Sequence, residues 1–277
     1  MTSMTVSTIN VNGIRAAVKE RSPENRGLLP WLAATRADVV CLQETRADDE
    51  QLAEALAPAL NDGWHLTSAD PHLKGRNGVA VLSRQPIART KIGPGGDVDE
   101  FASHGRYLEV DIANPGGDLT VASVYFPTGE AETDRQLEKE RFMAAVATRM
   151  AHLLESGRDA VVCGDWNIGH TELDIKAWKA NRRKAGFLPA ERQWMTDLLA
   201  TGWVDVVRVL HAEVPGPYSW WSWRGKAFDN DAGWRIDYQV ATPALAGRAA
   251  VARVERADAY ALRWSDHAPV TVEYGQA

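Results

Sequence analysis

The feature that most constrains this fold is a series of short apolar segments. Several are apolar throughout rather than alternating, which is typical of strands buried on both faces of a sheet. Amphipathic stretches with helical periodicity lie between them, and this mixed order predicts a layered α/β protein. The predicted strands are residues 6–11, 38–44, 78–83, 107–112, 119–126, 159–167, 218–223, 235–241, 251–256 and 268–274. The predicted helices are residues 24–35, 48–60, 132–156 and 190–200.

Length and composition exclude several classes of protein. The 277 residues show no repeat and no low-complexity tract, so we predict a single domain spanning residues 1–277. The apolar runs are too short to span a bilayer, and the N-terminus lacks the pattern of a secretory signal. Two cysteines, Cys41 and Cys163, cannot form a disulfide framework and are expected to be free buried thiols. We therefore expect a cytoplasmic protein with no membrane partner.

Polar side chains follow the apolar strands at the point where each strand ends. A single carboxylate at a strand end is often a cap, but sheet proteins gather their binding sites at strand ends, so a whole set predicts one site. Period-2 geometry places Asn10 with Asn12, and Asp165 with Asn167, on the same face of their strands. The residues of this set are Asn10, Asn12, Gln43, Glu44, Tyr125, Asp165, Asn167, Asp237, Asp266 and His267.

These residue types favour one class of reaction. Carboxylates, amides and one histidine suit Mg²⁺ or Mn²⁺, whereas no pair of Cys or His stands at the spacing of zinc ligands. The chain has neither a serine nucleophile elbow nor a glycine-rich phosphate loop of the Walker type. Metal-assisted hydrolysis of a phosphate ester is the reaction that this inventory can perform.

The charge distribution bears on the substrate. A net charge of −6 argues against a nucleic-acid partner, unless basic residues are concentrated on one face. Residues 174–186 hold five basic residues and one acidic residue, with Trp178 and Asn181 between them. Such a segment is either a solvated helix face or an element that grips phosphates.

Nine motifs follow one another along essentially the whole chain. They are INVNGIRA (9–16), CLQETR (41–46), GVAVLSR (78–84), VYFPTGE (124–130), CGDWNIGHTELDI (163–175), GFLPAERQWM (186–195), YSWWSWR (218–224), GWRIDY (233–238) and SDHAPV (265–270). On these motifs the chain resembles the exonuclease III family of abasic-site endonucleases, in the endonuclease/exonuclease/phosphatase superfamily. The QET, GDWN and SDH-P motifs are shared across that superfamily. The NVNGIRA opening, the basic segment before GF-P-ER and the aromatic run before RIDY belong to its nuclease branch.

The resemblance implies a fold and a set of catalytic roles. The fold would be a four-layer α/β sandwich, in which two packed mixed β-sheets are flanked by helices. Asp165 would deprotonate the attacking water, Asn167 would hold the phosphate or position Asp165, and Tyr125 would donate to the phosphate. His267 would stabilise the developing charge, with Asp237 on its other ring nitrogen. The metal, Mg²⁺ or Mn²⁺, would be held by Glu44 supported by Asn10, with Asp266 as a further ligand or acting through water and Asn12 nearby.

The resemblance also implies the substrate: double-stranded DNA, especially abasic sites and 3′ ends, bound by a monomer. Trp220, Trp234 and Ile236 would line a small pocket for a flipped-out abasic sugar, a pocket that rejects an intact nucleotide by size. The residues expected to contact the DNA backbone are Asn181, Lys179, Arg182, Lys184, Arg224 and Arg76. Thr128 departs from the pattern, because relatives carry a longer amide side chain there that wedges into DNA.

Other functions are weighed against this one. A phosphatase or phosphodiesterase of the same superfamily, acting on inositol phosphates or sphingolipids, would not need the aromatic run or the basic segment. A catalytically inactive regulator would be expected to lack at least one of the catalytic residues, and all are present. A secreted non-specific endonuclease is disfavoured by the absence of a signal and of disulfides. The motifs do not decide whether abasic-site incision, 3′-end trimming or 3′→5′ exonuclease activity dominates.

Overall fold

Two six-stranded β-sheets pack face to face in the computed structural model, which describes residues 3–71, 75–95, 99–113 and 118–275. The strands of the first sheet are β1 (Met4–Asn10), β2 (Val39–Gln43), β3 (His65–Ala69), β4 (Val79–Ser83), β11 (Ala249–Val254) and β12 (Val270–Tyr274). The strands of the second are β5 (Ile87–Ile92), β6 (Tyr107–Ile112), β7 (Leu119–Tyr125), β8 (Asp159–Asp165), β9 (Val204–Asp205) and β10 (Asp237–Ala241).

Each sheet has one parallel pair among antiparallel neighbours. The first sheet runs in the order β11-β12-β1-β2-β4-β3, with β1 parallel to β2. The second runs β5-β6-β7-β8-β10-β9, with β7 parallel to β8. The carboxyl ends of a parallel pair lie at the same edge of the sheet, so each pair presents two strand ends side by side.

Most helices of the described ranges cover the outer face of a sheet, whereas those at 206–210 and 243–246 pack against the core between the sheets. The helices are α1 (Ile14–Ala17), α2 (Leu28–Ala34), α3 (Asp49–Ala55), α4 (Ala57–Asn61), α5 (Asp134–Glu155), α6 (Trp178–Asn181), α7 (Pro189–Ala200), α8 (Val206–Leu210) and α9 (Pro243–Ala246), with short 3₁₀ helices at Glu172–Asp174 and Tyr260–Leu262. None of the helices in the described ranges has the length and apolar character needed to cross a membrane.

Three apolar clusters define the layers. One lies between the sheets and includes Val6 and Cys41 from the first sheet and Val121 and Cys163 from the second. Another joins the first sheet to α1, α2, α3 and α4, and the last joins the second sheet to α5 and α7. The order helices, sheet, sheet, helices confirms the predicted four-layer sandwich. Both cysteines are buried and free, also as predicted.

The strands on which the site depends were predicted within a few residues, and the differences have local causes. The segment 218–223 is not a strand, because only Trp220 forms isolated bridges, to Trp234 and His267. The helix predicted at 24–35 begins only at Leu28, since Gly27 before it has a φ of 79°. The strands at 107–112 and 119–126 pair antiparallel, as a hairpin requires, although their turn, 114–117, lies outside the described residues.

Candidate active site

Five strand ends from both sheets converge on one site. In the first sheet, the ends of β1 and β2 lie side by side, with Asn10 opposite Gln43. In the second sheet, Tyr125 at the end of β7 lies opposite Asp165 at the end of β8, and Asp237 at the start of β10 lies opposite Asp165 on the other side.

Asn12 and Asn167 reach the site by a different route from the one predicted. The strands end at Asn10 and Asp165, and the backbone then turns through left-handed residues, with φ 49° at Asn12 and 50° at Asn167. In each turn the peptide N–H donates to the side chain two residues earlier, from Asn12 to Asn10 Oδ1 and from Asn167 to Asp165 Oδ1, both at 2.9 Å. The expectation that each pair shares a strand face was therefore wrong, because these side chains compete with the sheet for backbone donors.

Asn10 links the carboxylates of the two sheets. Its buried side-chain amide donates to Oε1 of Glu44 at 2.8 Å and to Oδ2 of Asp165 at 2.9 Å. The other oxygen of Glu44 accepts hydrogen bonds from the guanidinium of Arg46, with Nε at 3.0 Å. The carboxylate of Glu44 is thus held between the amide of Asn10 and the guanidinium of Arg46.

Asp266 is held from two sides. Its Oδ1 accepts from the side-chain amide of Asn12 at 2.8 Å, and its Oδ2 accepts from the indole N–H of Trp220 at 3.1 Å. These contacts join a predicted metal ligand to a predicted wall of the sugar pocket.

His267 lies between two buried carboxylates. Its Nδ1 is 2.8 Å from Oδ2 of Asp237, and its Nε2 is 3.7 Å from Oδ2 of Asp165. Burial lowers the pKa of His267, but the charges of Asp237 and Asp165 outweigh burial and raise the pKa to about 10. The imidazole is therefore a charged donor at neutral pH.

Asp165 is nearly inaccessible and has an unusual pKa. Burial raises the pKa of its carboxyl group to about 7, against the opposing influence of His267 and of the hydrogen bond from Asn10. A carboxylate with a pKa near neutral pH can accept a proton from water more readily than an ordinary aspartate.

Tyr125 lies below these groups. Burial raises the pKa of its hydroxyl, and the carboxylates of Glu44 and Asp165 raise it further, so the hydroxyl keeps its proton. The guanidinium of Arg106 lies 4.9 Å from the centre of the ring. Tyr125 is therefore a protonated hydrogen-bond donor beside Glu44.

The residues present fit a divalent cation. Four carboxylates, of Glu44, Asp165, Asp237 and Asp266, meet in the site. The positive charges described above are those of His267 between two of them, and of Arg46 and Arg106 near Glu44. Oδ1 of Asp237 is buried without a hydrogen-bond partner among the described residues. Ligand atoms of Asp165, Asp237 and His267 also lie within 4.8 Å of one another, but here the protonated imidazole itself supplies the positive charge between the two carboxylates.

A pocket of about 260 Å³ opens directly over these groups. Trp220 and Trp234 stand edge to face in its wall, with ring centres 6.1 Å apart, and both are partly exposed rather than core residues. The complete lining is Asn12, Glu44, Arg46, Thr128, Asp165, Asn167, Ala185, Gly186, Trp220, Trp234, Ile236, Asp266 and His267. The other tryptophans of the run differ, since Trp221 is buried in a small core and Trp223 is exposed.

The basic segment forms part of the surface beside the pocket. Lys179, Arg182 and Lys184 are exposed, and the segment leads directly into the pocket residues Ala185 and Gly186. Asn181 is mostly buried, and its side-chain amide donates to the carbonyl of Ala177 at 2.9 Å. Its contact with a phosphate stays a prediction that would use its remaining donor.

Arg224 and Arg76 are both exposed and lie outside the pocket lining. Arg76 belongs to the loop 75–78, whose carbonyls at Asn77 and Gly78 accept hydrogen bonds from the backbone of Arg46 and Thr45. No sequence pattern indicates that Arg46 faces Glu44, although Arg46 lies within the CLQETR motif.

Comparison with known proteins agrees with this geometry. The model of the endonuclease/exonuclease/phosphatase family matches residues 7–267. An exodeoxyribonuclease from Bacillus subtilis (strain 168) is 34% identical over 261 residues, which cover 94% of this chain and 95% of that protein. This chain belongs to the endonuclease/exonuclease/phosphatase family.

Solved structures of this fold extend the similarity. An AP endonuclease from Archaeoglobus fulgidus superposes with a TM-score of 0.84 at 26% identity, covering 98% of this chain and 99% of that one. A 3′-5′ exonuclease from Neisseria meningitidis superposes with a TM-score of 0.82 at 29% identity and the same coverage. The family predicted from the motifs is therefore confirmed.

Proposed function

We propose that this protein is a Mg²⁺-dependent DNA-repair nuclease that hydrolyses phosphodiesters of double-stranded DNA. It incises 5′ to abasic sites, acts as a 3′→5′ exonuclease or removes blocking groups from 3′ ends, or combines these activities. The observation that carries the proposal is the position of the aromatic pocket. Trp220, Trp234 and Ile236 share one cavity with Asp165 and His267, so a sugar in that cavity would lie beside the hydrolytic groups.

Glu44 and Asp266 would hold the metal, with Asn10 and Asn12 orienting their carboxylates. When bound, Mg²⁺ would supply positive charge to the phosphate oxygens and to the leaving group. Mn²⁺, with similar ligand preferences, would be expected to substitute for it.

Asp165 would accept the proton of the attacking water. Its raised pKa suits this role, and the hydrogen bonds from Asn10 and Asn167 fix the carboxylate in place. Asn167 would also contact the phosphate from the pocket wall.

The protonated His267 would stabilise charge that develops on the phosphate. Its bond to Asp237 fixes the ring and leaves the other nitrogen facing the site. Tyr125, which keeps its proton, would donate a further hydrogen bond. Preorganised donors of this kind are effective because the protein need not reorganise during the reaction.

The substrate is proposed from the pocket and from the surface beside it. An abasic nucleotide is extruded at least cost because it has no base to unstack, and the tryptophan walls would leave no room for a base. Lys179, Arg182, Lys184, Arg224 and Arg76 would contact the DNA backbone.

The test offers three substrates to the same preparation: a duplex with one abasic analogue, the matching undamaged duplex and an inositol phosphate. We expect incision immediately 5′ to the analogue, slower degradation of the undamaged duplex from its 3′ ends, and no phosphate release from the inositol phosphate. Turnover of the inositol phosphate with no reaction on either duplex would replace this proposal by the phosphatase alternative.

A further inference from the structure

A lysine ammonium group is buried behind the active-site pocket. Lys139 lies on α5, and its side chain is 0% exposed. Its Nζ donates to Oε1 of Glu191 at 2.7 Å, to the carbonyl oxygen of Asn167 at 2.9 Å and to that of Thr128 at 3.3 Å. All three N–H donors of the ammonium are thus used, and none is directed at the substrate.

Three segments that build the pocket meet at this ammonium. Thr128, in the loop after β7, and Asn167, in the turn after β8, both line the cavity. Glu191 belongs to the first turn of α7, and its second oxygen accepts from the backbone N–H of Leu188 at 2.9 Å. Glu191 therefore ties down the segment that begins at Gly186, another lining residue.

The turn at Asn167 and the segment at Gly186 are packed so closely that a side chain at Gly186 would force one of them to shift. A Cβ atom on Gly186 would lie 3.0 Å from the carbonyl oxygen of Asn167 and 3.1 Å from the ring of Trp234. The carbonyl that Lys139 holds is thus also packed directly against the segment that Glu191 holds. Movement of either segment would therefore displace the turn at Asn167.

The turn at Asn167 has external support. Its φ of 50° lies in the left-handed region, which asparagine tolerates better than most residues, and the ammonium of Lys139 fixes the carbonyl of this turn from outside. The same residue donates to both oxygens of Asp165, from its backbone N–H at 2.9 Å and from its side chain at 3.3 Å. A shift of Asn167 would therefore be transmitted to the proposed general base.

We infer that Lys139 is a positioning residue of the reaction, whose buried ammonium joins the Thr128 loop, the Asn167 turn and the Gly186–Glu191 segment into one rigid pocket. This inference rests on the proposed function. The ion pair of Lys139 and Glu191 thereby affects catalysis, because it positions Asn167, in addition to any effect on stability.

The same helix provides a matched control. Arg149 on α5 donates to both oxygens of Glu109, whose side chain is 1% exposed, and it contacts no residue of the pocket lining described above. Because an α-helix rises about 1.5 Å per residue, Arg149 lies about 15 Å along α5 from Lys139. Lys139→Met and Arg149→Met each remove an α5 cation that is paired with a buried glutamate.

Four proteins are compared: wild type, Lys139→Met, Lys139→Arg and Arg149→Met. The temperature of unfolding is measured first. Duplex affinity, and KM and kcat on the abasic duplex, are then measured well below the lowest of these temperatures. We expect both methionine variants to unfold earlier, but only Lys139→Met to show a decrease of about 10- to 100-fold in kcat, the scale of a slight misplacement of reacting groups. Its KM and duplex affinity should change little, and Lys139→Arg should recover part of the missing kcat.

Equal kcat values for Lys139→Met and Arg149→Met would overturn the inference, as would an effect confined to KM. If Lys139→Met does not fold, Glu191→Gln replaces it, because this variant keeps a hydrogen-bond acceptor but removes the charge that orients Lys139, and the same split between kcat and KM decides. A wild-type protein without activity on any duplex would instead contradict the proposed function.

Discussion

The carboxyl group of Asp165 has a pKa that suits proton transfer but disfavours its charged form in the folded protein. Burial and the neighbouring carboxylate of Asp237 raise its pKa, so the charged form is disfavoured in the folded protein relative to the unfolded chain. A group whose folded-state pKa is raised in this way destabilises the fold above its unfolded pKa. We therefore expect the carboxylate to be retained for its reactivity.

Asp165→Asn tests this account. Turnover should fall by about 10²–10⁴-fold, the usual contribution of a general base, while duplex affinity stays near normal or rises because a negative charge beside the phosphate is removed. The temperature of unfolding should not fall, because the substitution removes a disfavoured charge. Asp159→Asn, at the opposite end of the same strand, is the control and should keep wild-type turnover. Loss of DNA binding in step with turnover would make Asp165 structural.

Substitution of Trp234 distinguishes a pocket-wall residue from a core residue. If it walls the sugar pocket, Trp234→Ala should lower the ratio of abasic incision to undamaged-duplex degradation by about 10–200-fold, the range for a misfit apolar group. Trp203, which is 2% exposed in the core between the second sheet and its helices, is the control. Trp203→Ala should cost about 3–5 kcal/mol of stability and leave the ratio unchanged. A Trp234→Ala protein that unfolds early but keeps its ratio would contradict the pocket role.

Individual site residues were predictable from residue type and from the recurrence of polar groups at strand ends. The structure gathers Asn10, Glu44, Asp165, Asp237 and His267 into one group through hydrogen bonds and the 3.7 Å contact between His267 and Asp165, as the convergence of strand ends implied. Lys139 was not predictable, because its neighbours Glu138 and Glu140 are charged and the segment resembles an exposed helix face. Burial of a single lysine depends on acceptors that come from distant parts of the chain.

At the scale of elements, buried ion pairs hold the segment that carries the pocket wall. Arg235, between Trp234 and Ile236, donates to Asp174 at 2.7 Å and to Asp205 at 2.8 and 3.1 Å. Asp174 also accepts from Arg208 at 2.5 Å. These contacts anchor the start of β10 to β9 and to the 3₁₀ helix at Glu172–Asp174.

Asp174→Asn should therefore destabilise the protein in a pH-dependent manner. Burial raises the pKa of Asp174, but Arg235 and Arg208 outweigh it and lower the pKa from 3.8 to about 2. A lowered carboxyl pKa stabilises the fold above the unfolded value, so the variant should be less stable by about 2 kcal/mol near neutral pH. The difference from wild type, measured by urea unfolding, should shrink as pH falls from about 4 to about 2.

The exposed pair of Asp62 and Arg84 is the control for this measurement, with Asp62 62% exposed. Asp62→Asn should change the free energy of unfolding by less than about 1 kcal/mol at any of these pH values. A pH-independent destabilisation in Asp174→Asn would show that packing, rather than charge, is what the substitution removes.

The basic segment makes a separate prediction for an element. Removing one cation that neutralises a DNA phosphate should lower the slope of log affinity against log salt by about 0.9. Replacing Lys179, Arg182 and Lys184 by alanine should therefore lower the slope by up to about three units without changing kcat. An unchanged slope would make the segment an ordinary solvated helix face.

The opposite edge of the sheets supplies the control for that triple variant. Arg36 precedes β2, Arg84 follows β4 and Arg158 precedes β8, so all three lie at the ends of their strands away from the site. Replacing these three arginines removes the same charge, and the slope should stay at its wild-type value.

Among elements, prediction succeeded where burial determines the pattern and failed where it does not. The buried strands β1, β2 and β7, and β8, which is buried apart from its first residue, were found within a few residues. The edge strands β3 and β5 were not predicted, since their side chains are mostly exposed or partly exposed and form no continuous apolar run. The aromatic run 218–223 resembles a strand in composition, but its residues serve a pocket and a small core instead of a sheet.

At the scale of the whole molecule, the site exists only because two sheets pack together. Asn10 and Glu44 come from the first sheet, and Asp165 and Asp237 come from the second. The side-chain amide of Asn10 and the imidazole of His267 both make contacts across the interface between the sheets. The motifs established the family and its sandwich, but which carboxylate contacts which depends on the packing of the sheets and could not be predicted from spacing.

Metal-dependent incision beside an abasic lesion is the activity that distinguishes this proposed nuclease from its alternatives. Incision of a duplex carrying one abasic analogue is followed with Mg²⁺, with excess chelator and after Mg²⁺ or Mn²⁺ is restored, using wild type and an Asp165→Asn protein purified identically. The account predicts incision 5′ to the lesion that disappears with chelator, returns with either ion and is about 10²–10⁴-fold slower in the variant. Full incision in excess chelator, or equal rates for wild type and Asp165→Asn, would contradict it.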